Sequence, residues 1–566
     1  MPSLPRLPAL WLGLLGLTTT QPSELFGQSK PAAPAQAAAP APLVVHPGLP
    51  GAAAAIATIN GDRMPLTKLS PSKIFPNLCI YEYRVTTQSE LCQKYVDQGL
   101  GFYYSYVWME AARSFETALK HDPECAMAWW GLSRSLEKWG KGDANAALKQ
   151  AMDRMKRASD RERLLIRSRA EEKGLAPNTK PDERVKKASA TLDDLLTLYA
   201  DDQEAWFNRA QLAKGTAAIP YYKALLMINP VHPGATHELV HFYENYRRPG
   251  LGWPYAEAYM KSSPGIPHPF HMQAHLATRL GKWKETSNQS TKAIDLERAY
   301  HKFQGVKPAD DHQFSHHLEI LTLSLIHDGR FAEARKIKEE AKAAGYQHPL
   351  PWFALHRREQ DWAEAMKIVE SQRRRDKSLG AYLAATLYLD QNKLAEAKLE
   401  IDVIREASQK RKNDRRMELR LWETLGRYLC RTGSPDEGLK LIFRTIEKTK
   451  DDFGHHSWGN GAYYMETWGD EALLAGKAEI AEEAYLEALA HDAGSVRAAM
   501  GLQYLCQRLN RTDEAANYAR LANDAWARAD QPHVERLRQE MLASSASLLP
   551  NATVSKPTTF SAPMNP

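Results

Sequence analysis

"YVDQGLGFYYSYVWMEAARSFETALKHDPECAMAWWGLSRSL" spans residues 95–136, and its reading decides the fold. Gly99 is the small residue of a first helix, and a turn follows at Tyr106. Ala111, Phe115 and Ala118 then recur at helical spacing and form the buried stripe of a second helix. Pro123 ends that helix, and Trp129 and Leu132 open the next unit. The local phrase YVWMEA (106–111) returns as GRFAEA (329–334), QDWAEA (360–365), NKLAEA (392–397) and NRTDEA (510–515). Looser copies are GKWKET (281–286) and GSPDEG (433–438). Gly or Asn at the first position suits the left-handed backbone that ends a helix. Glu favours the first turn of the next helix, where the dipole is positive. The small Ala allows that helix to pack closely on its partner.

Period-two alternation is scarce, so the chain reads as all-α, an α-solenoid of stacked antiparallel hairpins. The 95–136 stretch resembles the tetratricopeptide repeat, whose period is 34 residues. VDQGLGFYY, EAARSFETALKHDPECAMAWWGLS and HPGATHELVHFYE are similar to a family of bacterial tetratricopeptide-repeat proteins. The resemblance covers about residues 88–530 and implies about a dozen hairpins in a superhelix that binds a peptide or protein partner in its concave groove. It implies no reaction.

Around this body the composition shifts. Residues 1–28 read as a signal peptide: Arg6 precedes an apolar stretch too short to span a bilayer. Residues 29–65 are an Ala/Pro-rich linker, 66–540 the helical repeats, and 541–566 a disordered tail. The protein is therefore expected to be exported, periplasmic or extracellular, with no transmembrane segment. The 74 basic and 68 acidic residues nearly balance, so bulk charge does not argue for nucleic acid, and no nucleic-acid partner is expected. The five cysteines form no C-x-x-C; Cys79 and Cys92 could pair, and packing as free thiols is the alternative. No P-loop, G-x-S-x-G or C-x-x-C-H occurs.

The histidines carry the functional signal. Eleven of the 19 lie between His232 and His327. Three pairs, His237/His241, His271/His275 and His312/His316, have i, i+4 spacing, which puts both rings on one helix face. His237 to His271 and His241 to His275 are each 34 residues, one repeat, so those pairs should stack as neighbours. His271 to His312 and His275 to His316 are each 41. By the resemblance, His271 and His275 fall at helix positions that line the groove. Three readings follow: groove and packing histidines; a site for zinc or another divalent transition metal, with Glu238, Glu244, Asp311 and His317 nearby; and a zinc hydrolase, since HELVH (237–241) fits H-E-x-x-H with Glu238 as the only catalytic candidate. The hydrolase reading lacks a third ligand at a known distance. Glu244 and Arg247 stand where the longer metzincin motif needs Gly and His, and the other two pairs lack the Glu. The sequence thus leans away from an enzyme.

Overall fold

The computed structural model describes residues 63–411, 414–450 and 462–548. The leader read at 1–28, nearly all of the linker at 29–65, and residues 549–566 of the tail lie outside the described residues; 541–548, read as disordered tail, instead end the helix Gln531–Ser544 and form the turn Ser545–Ser547 after it. Among the described residues there are 25 α-helices and no strand. Twelve hairpins run from Glu90–Tyr104 paired with Trp108–His121 to Val496–Arg508 paired with Thr512–Ala525, and Gln531–Ser544 closes the stack. The fold is an α-solenoid. No helix among the described residues is long and apolar enough to cross a membrane.

The recurring phrase accounts for the hairpins. Its first residue has a positive φ in all seven copies: Tyr106 59°, Gly281 64°, Gly329 73°, Gln360 60°, Asn392 56°, Gly433 95° and Asn510 59°. The chain reverses there, and Glu110, Glu333, Glu364 and Glu396 fall in the first turn of the following helix. The Ala that follows is wholly buried at Ala111, Ala334, Ala365 and Ala397. Between hairpins the packing is ring into gap. Phe115 lies between Gly99 and Gly131, where added Cβ atoms would stand 2.9 and 2.3 Å from its ring. Burying such a ring stabilises by about 1.5–3 kcal/mol, and only missing side chains on both neighbours make room for it.

Two features depart from a plain stack. Residues 66–89, read as the start of the repeats, contain no helix. Pro65, Pro71 and Pro76 interrupt any helical run there. The segment is instead a strap across successive helix ends. Thr86 N–H donates to Glu162 (2.7 Å), Tyr83 OH to Asp202 (2.9 Å), Tyr81 OH to Glu204 (3.1 Å), and Ile80 N–H to the Ser262 carbonyl (2.8 Å). At the other end the last hairpins return to the middle ones. Trp283 Nε1 donates to Asp492 (2.9 Å), Trp526 Nε1 to the His327 carbonyl (2.7 Å), and Asp530 accepts from Ala332 N–H (2.8 Å). The suggested Cys79–Cys92 pair does not form. Cys79 meets Ser263 Oγ at 3.4 Å, Cys92 is buried on its own helix, and all five thiols are free.

Candidate metal centre

Three consecutive first helices of hairpins, Pro233–Asn245, Pro267–Arg279 and His312–His327, carry the histidines. Each start is set locally. His232 Nδ1 accepts from Ala235 N–H at 3.2 Å, Pro267 opens the second helix, and Asp311 accepts from Gln313 N–H at 3.1 Å.

The structure gathers six of the rings into two groups of three. His237, His241 and His268 form one; His271, His275 and His316 form the other. Within each group one ring nitrogen per residue lies within 4.8 Å of the others. The groups adjoin, with the His268 and His271 ring centroids 5.6 Å apart. His317 sits beside both, 4.1 Å from His271 and 6.2 Å from His268 between centroids.

The hydrogen bonds fix how the rings point. His237 Nδ1–H donates to the Tyr104 carbonyl at 2.7 Å, which leaves Nε2 as an acceptor. That Nε2 accepts from His268 Nε2–H at 3.0 Å. Two nitrogens bound to one tetrahedral zinc stand about 3.4 Å apart, from Zn–N bonds of about 2.0–2.1 Å. His241 Nε2 is buried and has no hydrogen-bond partner among the described residues. In the second group His275 Nδ1 donates to Glu244 at 3.3 Å, and Arg279 donates to the same carboxylate at 3.0 Å. An imidazole held on one nitrogen by a carbonyl or carboxylate presents the other to a metal, the usual support of a metal-binding histidine.

Burial favours the uncharged form of His237, His241, His268, His271 and His275. It drives His237, His268 and His271 well below the ordinary histidine range, with neighbouring imidazoles adding to the effect. His275 is brought down to about 4 by burial despite Glu244 beside it. Burial alone would raise the Glu244 carboxyl, but His275 and Arg279 hold it down to about 2. His317 Nδ1 lies 2.8 Å from Glu297, and both side chains are enclosed. Burial drives this pair toward its neutral forms, with Glu297 pushed well up and His317 down to about 4.

Several residues stand elsewhere than their sequence pattern implied. His312 belongs to neither group. It is exposed and stacks on Trp108, 6.4 Å between centroids, because it occupies the first position of its helix while His316 lies one turn further in. His237, His271 and His275 are buried rather than open to a groove, and His241 and His316 are partly covered. Glu238, the Glu of HELVH, accepts from Tyr106 OH (2.9 Å) and Gln211 (3.0 Å), so its carboxylate is engaged away from the rings. Asp311 bonds His301 at 2.9 Å. His268 escaped the search for i, i+4 pairs. Its signal was one turn upstream, in the i, i+3 spacing of His268 and His271.

Tyr106 closes the first group. Its ring stacks on His241 (5.7 Å between centroids, 11°) and lies 4.3 Å from His237. It does so from a left-handed backbone, φ 59°, which is costly for a residue with a bulky side chain.

Comparison with known proteins agrees with the hairpins. Residues 96–162 match the sequence profile of the tetratricopeptide repeat family. That stretch carries the tetratricopeptide repeat. No curated protein sequence matches it. Among solved structures it is similar to the TPR domain of P58(IPK), at 13% identity over 77% of this chain and 99% of that one, TM-score 0.24. It is also similar to the human IFIT1 dimer with m7Gppp-AAAA, at 13% identity over 77% and 90%, TM-score 0.25.

Proposed function

We propose that this chain is an exported scaffold that holds zinc or another divalent transition metal at His237, His241 and His268. His271, His275 and His316 form a second three-imidazole site. Tetratricopeptide repeats are a protein-interaction scaffold, and metal at the two sites would tie three of their hairpins together beneath the surface that receives a peptide or protein partner. One observation carries the reading: His237, His241 and His268 bring one ring nitrogen each within 4.8 Å of the others, and His241 Nε2 is buried with no hydrogen-bond partner among the described residues. Imidazole donors suit zinc, copper, nickel and iron alike, and a buried neutral cluster needs no proton removed before it binds. Three protein ligands leave a fourth tetrahedral position for water or a partner's donor. Export is supported by Arg6 and the apolar stretch behind it.

The test is elemental analysis of the purified full chain, carried without a metal-binding tag, beside a His241→Ala/His275→Ala double variant. One to two equivalents of a transition metal are expected in the parent and a clear loss in the variant. A folded parent chain that takes up no metal after incubation with zinc would overturn the proposal.

A further inference from the structure

A second feature lies in the C-terminal half. A cavity of about 790 Å³ opens between the helices that follow His316 and the returning last hairpins. That volume is in the range of pockets for small organic ligands. Six arginines line it against three glutamates, Glu319, Glu466 and Glu540. Two of the arginines are fully engaged, Arg357 by Asp390 and Arg497 by Asp470 and Glu540. The other four keep donors in hand. Arg358 reaches Glu466 with one nitrogen at 3.4 Å and leaves 34% of its side chain open. Arg536 binds only the carbonyls of Arg358 and Glu359. Arg416 is exposed and has no side-chain partner among the described residues. Arg420 Nη1 is buried without a hydrogen-bond partner among them, its nearest carboxylate, Asp376, being 4.0 Å away.

The backbone adds to this surplus. Lys377–Asp390, Arg415–Arg431, Tyr463–Leu474 and Val496–Arg508 all bring residues of their first two turns to the cavity wall. Helix N-termini favour negative charge. Most of the remaining wall is apolar, with His327, His533 and Ser495 among it. Tyr382 and Tyr463 both spend their hydroxyls on Glu423, at 2.6 and 2.7 Å, so they offer a ligand their rings. Phe353 and Leu383 stand with them. The like charge of Arg497 beside Arg358 adds to the positive potential of this wall, which a bound anion offsets.

We infer that this cavity binds a small organic phosphate, with the phosphate held by Arg358, Arg416, Arg420 and Arg536 and an aromatic or aliphatic body lying against Tyr382, Tyr463 and Phe353. Guanidinium forks match phosphate oxygens two at a time, and the aromatic and aliphatic wall suits a compact apolar body. The site does not depend on the metal reading, although His316 belongs to both walls.

The experiment is calorimetric titration of the full chain with phenyl phosphate, inorganic phosphate, phenylacetate and a hexa-glutamate peptide, each with and without EDTA. Phenyl phosphate is expected to bind most tightly and to keep its affinity in EDTA. Arg358→Gln and the exposed Arg416→Gln should each weaken it about tenfold, the scale of one lost charge-assisted hydrogen bond, with unchanged thermal melting for Arg416→Gln. Several outcomes would overturn the inference. They are no binding of phenyl phosphate, equal binding by the parent and Arg416→Gln, equal binding of inorganic phosphate, or loss in EDTA. Tighter binding of hexa-glutamate would reassign the cavity to an acidic peptide.

Discussion

Replacing His268 with alanine tests the first metal site at its least obvious member. His268 is buried, its Nε2 lies 3.0 Å from that of His237, and it comes from the next hairpin along. The variant leaves two imidazoles where three met. Four-ligand zinc sites bind with about 10–16 kcal/mol, or roughly 2.5–4 kcal/mol per ligand. At about 1.4 kcal/mol per tenfold, loss of one ligand weakens binding on the order of a hundred- to a thousand-fold. Competition against a chromogenic chelator of known affinity, with the full chain, measures that factor. His312→Ala is the control, an imidazole of the same sequence cluster that stacks on Trp108 outside both groups. It should leave the affinity unchanged. His268 could also matter only for packing, so each variant's melting curve is recorded without metal. If His268→Ala binds zinc within threefold of the parent, or if His312→Ala loses as much, the assignment of ligands is wrong.

Other consequences can be checked on the fold. Gly131→Ala drives a Cβ to 2.3 Å from the Phe115 ring, and such overpacking should cost about 1–3 kcal/mol; Phe115→Leu in the same chain should recover part of it in a urea melt. Glu204→Ala removes the partner of Arg134, a pair only 0–3% exposed, and releases Tyr81 of the strap. A loss of about 3–5 kcal/mol and faster amide exchange over residues 78–87 are expected, and unaltered exchange would refute the strap's role. Burial and Glu466 push the Asp492 carboxyl up from 3.8 to about 7. Between those values the folded chain holds a proton that the unfolded chain has released, so stability should fall as pH rises through that window. Asp492→Asn should flatten that slope, and an unchanged slope would count against it. Finally, residues 1–62 fused to a periplasmic reporter should yield activity only outside the cytoplasm; retention inside would remove the export reading.

Much of this was legible in one dimension because the physics is local. A residue with positive φ, then Glu, then Ala is a hairpin written in six positions, and every copy found in the sequence turns the chain where it stands. Gly99 could be read as the small position of one helix and Phe115 as part of the buried stripe of the next because helical periodicity places them. The strap was not legible. Its prolines exclude a helix, but its partners Glu162, Asp202 and Glu204 lie 76 to 123 residues away. The return of the last hairpins onto Trp283 and Asp328 likewise depends on how small rotations accumulate from repeat to repeat, and no local pattern encodes that sum.

The histidine cluster divides along the same line. Spacing alone determined that His237 and His241, and His271 and His275, share faces of equivalent helices one period apart. Only the tertiary structure decided that His268 completes the first group, that His316 leaves His312 to join the second, and that Glu238 turns toward Tyr106 instead of the rings. A helix fixes which side chains share its face within a turn or two. Which face meets which neighbour, and at what height, is set by packing between helices, where Tyr104 and Tyr106 from the first hairpin reach residues more than a hundred positions away.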